Sequence, residues 1–289
     1  MKIGMIGMGV VGGNTAIVLK KAHTIYPYDK YKKPYNDSEH LDSLAENSQV
    51  VFLCVPTPMK GSGEIDYSPM QSSLETLFET SKRVGRNPED ILVTIRSTAV
   101  SGTTDDFASK FPFKFAFNPE FLRENYALED MLNTNRVILG VEDESSKEKL
   151  LDVYKPLFPN AKILFYNRKT SEMIKYAANV SLFMQTMAAN EIYQVCKALD
   201  IDYNEVKEAI LFDDRIGRNI EVPGPDGYLG AGGKCFPKDV NAFIYLARAS
   251  QYRPYLIEEA WRLNEKVREN KDWLDIPGAT SENKDFSKE

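Results

Sequence analysis

Lys2-Ile3-Gly4-Met5-Ile6-Gly7-Met8-Gly9-Val10-Val11-Gly12 decides the fold: a short β-rich apolar run feeds directly into glycines spaced G-x-G-x-x-G at positions 7, 9 and 12. In that spacing the first glycine permits a tight turn and the second lets backbone approach a pyrophosphate. The third lets a helix pack on the strand, with the helix N-terminus facing the phosphates. The spacing alone is weak evidence, but a second apolar run ends in Asp29, about 20 residues on, where a carboxylate can accept both ribose hydroxyls. A strand, glycine turn, helix and acid-tipped strand together predict a dinucleotide site. Asp29 favours NAD over NADP, since its charge would repel a 2′-phosphate. Lys30, Lys32 and Lys33 follow it and read either as partners for such a phosphate or as a solvated loop.

Outward from this turn, short apolar runs at 50–55, 91–97, 114–118, 136–141 and 162–166 alternate with amphipathic stretches such as 67–83 and 144–157. The alternation predicts an α/β, Rossmann-type doubly wound parallel sheet with helices on both faces over residues 1–167, an NAD-binding domain. Ligands of such sheets sit at the carboxyl ends of the strands. From 168 to 268 the pattern is helical. Met173, Ile174, Ala177, Val180, Met184, Met187 and Ile192 repeat at helical spacing without a breaker, predicting one long helix of roughly 30 residues as the base of an all-helical second domain. A glycine- and proline-rich loop (213–237) precedes a helix expected after Pro237. Residues 269–289, dense in charge, read as a frayed tail.

The 289 residues are 43% apolar and 27% charged with a net charge of −6, which excludes a disordered chain and argues against a nucleic-acid surface. No stretch approaches the roughly 20 apolar residues of a membrane span, and five glycines before position 14 interrupt any secretory leader. Three cysteines, odd and sparse, suggest a reducing, cytoplasmic setting rather than a disulfide framework. No metal-ligand spacing is present, so no metal is expected. Both histidines, His23 and His40, fall in the dinucleotide segment, leaving proton transfer to Lys, Asp or Glu.

Three further clusters carry chemistry. Cys54 and Cys196 lie in apolar surroundings and read as inert, whereas Cys235 stands in Gly232-Gly233-Lys234-Cys235-Phe236-Pro237-Lys238-Asp239, with glycines for access and lysines to favour thiolate. Asn118-Pro119-Glu120-Phe121-Leu122-Arg123-Glu124 leaves a strand on the ligand side; its carboxylates suit acid–base work or a capped helix start. On the long helix, Lys175 and Asn179 share one face at i, i+4, either to address one substrate oxygen or as a solvated face.

Taken in order, Gly7–Gly12 with Asp29, Cys54-Val55-Pro56-Thr57-Pro58, Ser97-Thr98, Asn118–Glu124, Glu172/Lys175/Asn179, Asn190-Glu191, Asp214–Gly217 and Gly232–Asp239 resemble the nucleotide-sugar dehydrogenase family that acts on UDP-glucose and GDP-mannose. The resemblance covers residues 3 to about 265. It implies a four-electron oxidation of a sugar C6 alcohol to the uronate, UDP-glucose to UDP-glucuronate, through a thioester on Cys235. Lys175 and Asn179 would stabilise the oxyanion. Asp239 and Thr98 would hold water, and Glu120 would assist hydrolysis. Cofactor contacts are implied at Gly7, Gly9, Val11, Gly12, Asp29 and Lys33, and at Pro56, Thr57, Thr98, Glu124 and Lys238. Substrate contacts are implied at Glu120, Phe121, Leu122 and Arg123, at Lys175, Asn179 and Arg215, and in the loop at Gly224, Tyr228 and Gly232. A homodimer through the long helix is implied too. The family carries a third, nucleotide-gripping domain of about 100 residues, expected here to be missing and supplied, if at all, by a separate C-terminal partner. Two alternatives stay open: a short β-hydroxyacid dehydrogenase, which also uses a Lys-x-x-x-Asn pair, and a non-catalytic NAD-binding assembly module.

Overall fold

The computed structural model describes residues 1–283. They divide into two compact units, one of residues 1–57 and 65–175, the other of 58–64 and 176–283.

The first unit is built on one sheet of β1 (Lys2–Ile6), β2 (Thr24–Tyr28), β3 (Val50–Leu53), β4 (Leu92–Ile95), β5 (Lys114–Phe117), β6 (Arg136–Gly140) and β7 (Lys162–Tyr166). Their spatial order is β2-β1-β3-β4-β5-β6-β7. β1 pairs in parallel with β2 on one side and β3 on the other, so the connections reverse direction at β1, and the glycine turn leaves from this switch point. Pro27 fits because β2 is the edge strand, where a missing N–H breaks no ladder. The expected parallel sheet is present, with one departure: β5 meets β6 antiparallel through Phe117 and Gly140. The intervening chain, with α5 (Ala127–Leu132), stays at the carboxyl end of β5 instead of crossing the sheet, so β6 returns in the opposite sense.

Alternation along the strands makes two cores. Ile3, Met5, Val50 and Phe52 point to the face covered by α1 (Val10–Leu19), α5 and α6 (Glu144–Tyr154), where Leu19, Met131, Leu150 and Tyr154 are buried. Ile6, Val51, Leu53 and Val93 point to the face covered by α2 (Ser38–Asn47), α3 (Ser68–Arg83) and α4 (Thr103–Lys110), where Leu44, Leu74, Leu77 and Phe107 complete the core.

The long helix, α7 (Arg168–Ala198), has 31 residues. Its first two turns belong with the sheet rather than with the helical unit, so the structural division falls at Lys175/Tyr176 instead of after residue 167. Gly140 lets α7 come close: a Cβ there would lie 2.8 Å from Ser171 Oγ and 2.9 Å from the Arg168 Cα. Glu172 adds a tie by capping α4 from outside, its carboxylate accepting from Gly102 N (2.6 Å), Thr104 N (2.7 Å) and Thr104 Oγ1 (2.6 Å).

In the second unit, Val180, Phe183 and Met187 face Val240 and Ile244 of α9 (Cys235–Ala249) and Ala260 of α10 (Tyr255–Val267). α8 (Tyr203–Ile210) packs in a smaller cluster with Cys196, Ile220 and Val222. The described part of the expected tail is packed, not frayed. Trp273 is buried against Trp261 (ring centroids 5.7 Å apart), and Thr280 forms a parallel bridge with Met59. The apolar anchor outweighs the surrounding charge. Residues 284–289 of that tail lie outside the described residues.

Candidate active site

At the switch point, Gly7 has φ +90°, and a Cβ there would lie 2.5 Å from the Cys54 carbonyl oxygen. A Cβ on Gly12 would lie 1.9 Å from the Gly7 carbonyl oxygen, so α1 can start this close to β1 only without a side chain. Gly9 caps α1 with no side-chain acceptor, and no acidic residue occupies the first turn, which leaves backbone donors and the positive end of the helix dipole for an anion. Asp29 closes the far side: its carboxylate accepts from Met8 N (2.7 Å), Tyr31 N (2.8 Å) and Lys32 N (2.9 Å). Of the three lysines, Lys32 reaches the turn, donating to the Met8 carbonyl at 2.9 Å, while Lys33 is exposed. This donor set fits a dinucleotide: N–H groups for its pyrophosphate and a carboxylate for a ribose.

Thr57 is buried beyond the end of β3, and Pro56 and Thr98 are half-buried on the chain leaving β3 and β4. Ser97 Oγ donates to the Val55 carbonyl at 2.6 Å, tying these two exits together. Arg96, given no role in the sequence reading, is buried here. Its guanidinium donates to Thr15 Oγ1 (3.1 Å) and Asn118 Oδ1, and contacts Met131 Sδ. Asn118 also accepts from Tyr154 Oη (2.5 Å) and donates to the Ile138 carbonyl (2.8 Å), so Arg96 and Asn118 set where the Asn118–Glu124 segment leaves β5.

On that segment, Glu120 is buried with Lys175 Nζ 2.9 Å from its Oε1, and Leu122 N donates to its Oε2 at 2.7 Å. Burial pushes the Glu120 carboxyl up, but the Lys175 ammonium, the Leu122 N–H and the Arg96 charge outweigh it and hold it below the usual carboxylate range. Lys175 also lies 5.6 Å from the centre of the Phe121 ring, which Arg136 covers at 4.7 Å. Arg123 turns outward onto Asp130 (2.6 Å), and Glu124 is exposed. Glu172, one turn before Lys175, has its carboxyl pushed up to about 7 by burial, despite its three donors.

In the second unit, the helix expected after Pro237 begins at Cys235, making the cysteine a first-turn residue of α9 rather than a loop residue. Pro237 is tolerated there because the N–H it lacks would have no partner within the helix. Asp239, one turn further on the same face, is 1% exposed; it accepts from Asn179 Nδ2 at 2.6 Å and from Lys238 Nζ at 2.5 Å. Lys238 is itself buried, its ammonium paired with this carboxylate. Cys235 is half-buried. Cys54, by contrast, has its thiol pushed up to about 12 by burial, and Cys196 is buried among apolar side chains. Arg215 is exposed and pairs with Asp213 at 2.6 Å. Gly224 N donates to the Tyr228 carbonyl at 2.9 Å, closing a turn in the glycine-rich loop.

An α/β unit with a dinucleotide turn, followed by a helical unit that presents a cysteine at a helix start, defines a two-domain dinucleotide-binding protein. Residues 28–158 match the NAD binding domain, and residues 169–266 the central domain, of the UDP-glucose/GDP-mannose dehydrogenase family. The chain belongs to that family, and NAD is the cofactor of its first domain. It is 34% identical over 254 residues to a UDP-glucose 6-dehydrogenase of Haloferax volcanii, covering 83% of this chain and 56% of that protein. To a UDP-glucose 6-dehydrogenase of Rickettsia typhi it is 32% identical over 277 residues, covering 84% and 62%. The chain thus spans little more than half the length of these curated relatives. A solved UDP-glucose dehydrogenase from Pyrobaculum islandicum superposes with a TM-score of 0.79 at 28% identity, covering 92% of this chain and 68% of that one.

Proposed function

We propose that this chain carries the catalytic residues of a nucleotide-sugar 6-dehydrogenase, oxidising the C6 alcohol of UDP-glucose to the uronate in two NAD-linked steps. The observation that carries this reading is the first turn of α9, where Cys235 stands one turn from the buried Asp239, itself bonded to Asn179. An alcohol-to-aldehyde dehydrogenase needs no nucleophile of this kind, whereas oxidation onward to an acid does.

Gly7, Gly9, Val11, Gly12 and Asp29 would hold NAD, with Lys33, Pro56, Thr57, Thr98, Glu124 and Lys238 as further contacts carried over from the family. Bound there, NAD+ supplies the hydride acceptor in each of the two steps. The chain's own residues do the rest. A base relay takes the proton of the C6 hydroxyl, and Asp239 and Thr98 are each assigned, as in the family, to hold water. The Cys235 thiolate, favoured at a helix N-terminus, adds to the aldehyde carbon, and the carbonyl oxygen becomes an oxyanion whose stabilisation is assigned to Lys175 and Asn179. After the second oxidation the carbon is held as a thioester. Glu120, ionised beside Lys175, assists attack by water, which gives the carboxylate and returns the thiol. Trapping the aldehyde on Cys235 keeps a reactive intermediate on the protein.

Phe121, Leu122, Arg123, Arg215, Gly224, Tyr228 and Gly232 are assigned to the sugar nucleotide. The exposed apolar residues Leu182, Ile192 and Val195 of α7 suit a homodimer through that helix. The proposed setting is the cytoplasm, whose reducing conditions preserve the thiol; among the described residues no helix is long and apolar enough to cross a membrane.

A panel of UDP-glucose, UDP-N-acetylglucosamine and GDP-mannose, read by NADH formation, tests the activity. Turnover is expected with at least one, and UDP-glucose is the first choice. No NADH with any of them would remove the reading. The Lys175/Asn179 pair on α7 also suits a hydroxy-acid dehydrogenase; a Cys235→Ala variant fully active on a hydroxy acid would favour that alternative.

A further inference from the structure

The loop that leads into Cys235 is gripped by side chains that have no part in the proposed chemistry. Asn190 Oδ1 accepts from Gly230 N at 2.9 Å, and Asn264 brackets Ala231, accepting from its N–H (2.7 Å) and donating to its carbonyl (3.0 Å). Beneath the loop lies Arg268, its side chain fully buried. The guanidinium donates to Asp226 (2.6 Å), Asp272 (3.2 Å) and the Asn270 carbonyl (2.8 Å). Asp272 in turn accepts from Gly233 N, 3.1 Å from each carboxylate oxygen.

The glycines and the buried cation require each other. A Cβ on Gly232 would lie 1.9 Å from Arg268 Nη2, and one on Gly230 would lie 2.5 Å from Asn264 Oδ1. A guanidinium taken fully out of water is costly unless paired, and the loop carries half of its compensation as Asp226. Gly233, at φ +72° and held by Asp272, is separated from Cys235 by Lys234 alone.

We propose that Arg268, acting with Asp272 and Asn264, is a positioning residue that fixes the backbone from Asp226 to Gly233 and so holds the Cys235 thiol at the first turn of α9. The proposal rests on Cys235 being the nucleophile. It assigns a functional role to a polar cluster whose members come from loop, α10 and the segment after it. Loosening that cluster would let the thiol drift from the helix N-terminus that favours its ionised form.

The test uses the full chain and follows iodoacetamide alkylation of Cys235 against pH by peptide mass spectrometry, with NAD binding by calorimetry as a check on folding. In Arg268→Gln the alkylation midpoint is expected to rise by about one pH unit, a tenfold loss of thiolate at neutral pH. Arg268→Lys, which keeps the charge but not the fork, is expected to recover only part of it. Bulk structural damage would lower the melting temperature without moving the midpoint, so a folded Arg268→Gln with the wild-type midpoint overturns the proposal. Should that variant fail to fold, Gly232→Ala is read in the same way: with Arg268 kept but displaced, an unchanged midpoint overturns the proposal and a raised one supports it. The nucleophile reading stands or falls separately, on the wild-type chain. An ordinary thiol midpoint near ~8.5 and no turnover would count against Cys235 itself, whatever Arg268 does.

Discussion

Asn179 Nδ2 lies 2.6 Å from Asp239 Oδ2, with both residues more than nine-tenths buried. Lys238 also donates to that carboxylate, at 2.5 Å, so Asn179 shares in holding a buried charge. Asn179→Ala should therefore cost about 1–3 kcal/mol of stability, the penalty for stripping a hydrogen bond from a buried polar group. Urea denaturation would read that loss. Turnover should fall as well, because the same amide is assigned to the oxyanion; a variant with full stability and full kcat would contradict both roles.

Lys175 is coupled to Glu120 in the same way. Lys175→Met leaves a buried carboxylate without its cation, expected to cost on the order of 3–5 kcal/mol. The pH dependence gives a sharper reading. Because the folded Glu120 carboxyl is held below its ordinary value, its contribution is present above the unfolded pKa, about 4.3, and is lost as pH falls through the lower folded value. The wild-type chain should show this acid-side loss in urea midpoints, and the Lys175→Met variant should lack it.

Glu172 has the opposite sign. Its carboxyl is pushed up to about 7, so its contribution to stability is fully present below the unfolded value and declines as pH rises toward 7. Glu172→Gln removes the titration but also removes an acceptor for the Gly102 or Thr104 N–H. The variant should thus be the less stable protein at pH 5 and should gain on the wild type between pH 5 and 8. Parallel urea midpoints across that range would contradict the assignment.

Gly12→Ala places a Cβ against the Gly7 carbonyl, where backbone and not a flexible side chain must yield. Overpacking of this kind costs typically 1–3 kcal/mol, that is ~1–3 kcal/mol here, and it displaces α1 from the turn. NAD binding by calorimetry should be lost or greatly weakened. Unchanged affinity would mean that the turn does not hold the pyrophosphate.

Legibility in the sequence followed how local the determining interactions are. The glycine turn, Asp29 and the strand–helix alternation are written over short spans, and the sheet followed from them. The reversal at β6 was not legible, because strand direction depends on where the Asn118–Asn135 connection packs and not on the pattern of β6 itself. Cys235, Lys175 and Asn179 stood out by residue type and spacing. Glu172 stood in the same group, but its partner at Thr104 is 68 residues away, so its capping role is a tertiary fact. Arg96 and Arg268 escaped for the same reason. An arginine inside the apolar run 91–97 was the available signal for the first. For the second, the charge density of 269–289 concealed the anchoring by Trp273.

NADH formed per UDP-glucose consumed by the full chain tests the four-electron oxidation most directly. Two NADH for each UDP-glucuronate, with Cys235→Ala yielding no uronate, is the result predicted for a thioester route. One NADH per substrate, or uronate formation undiminished in the Cys235→Ala variant, would contradict it.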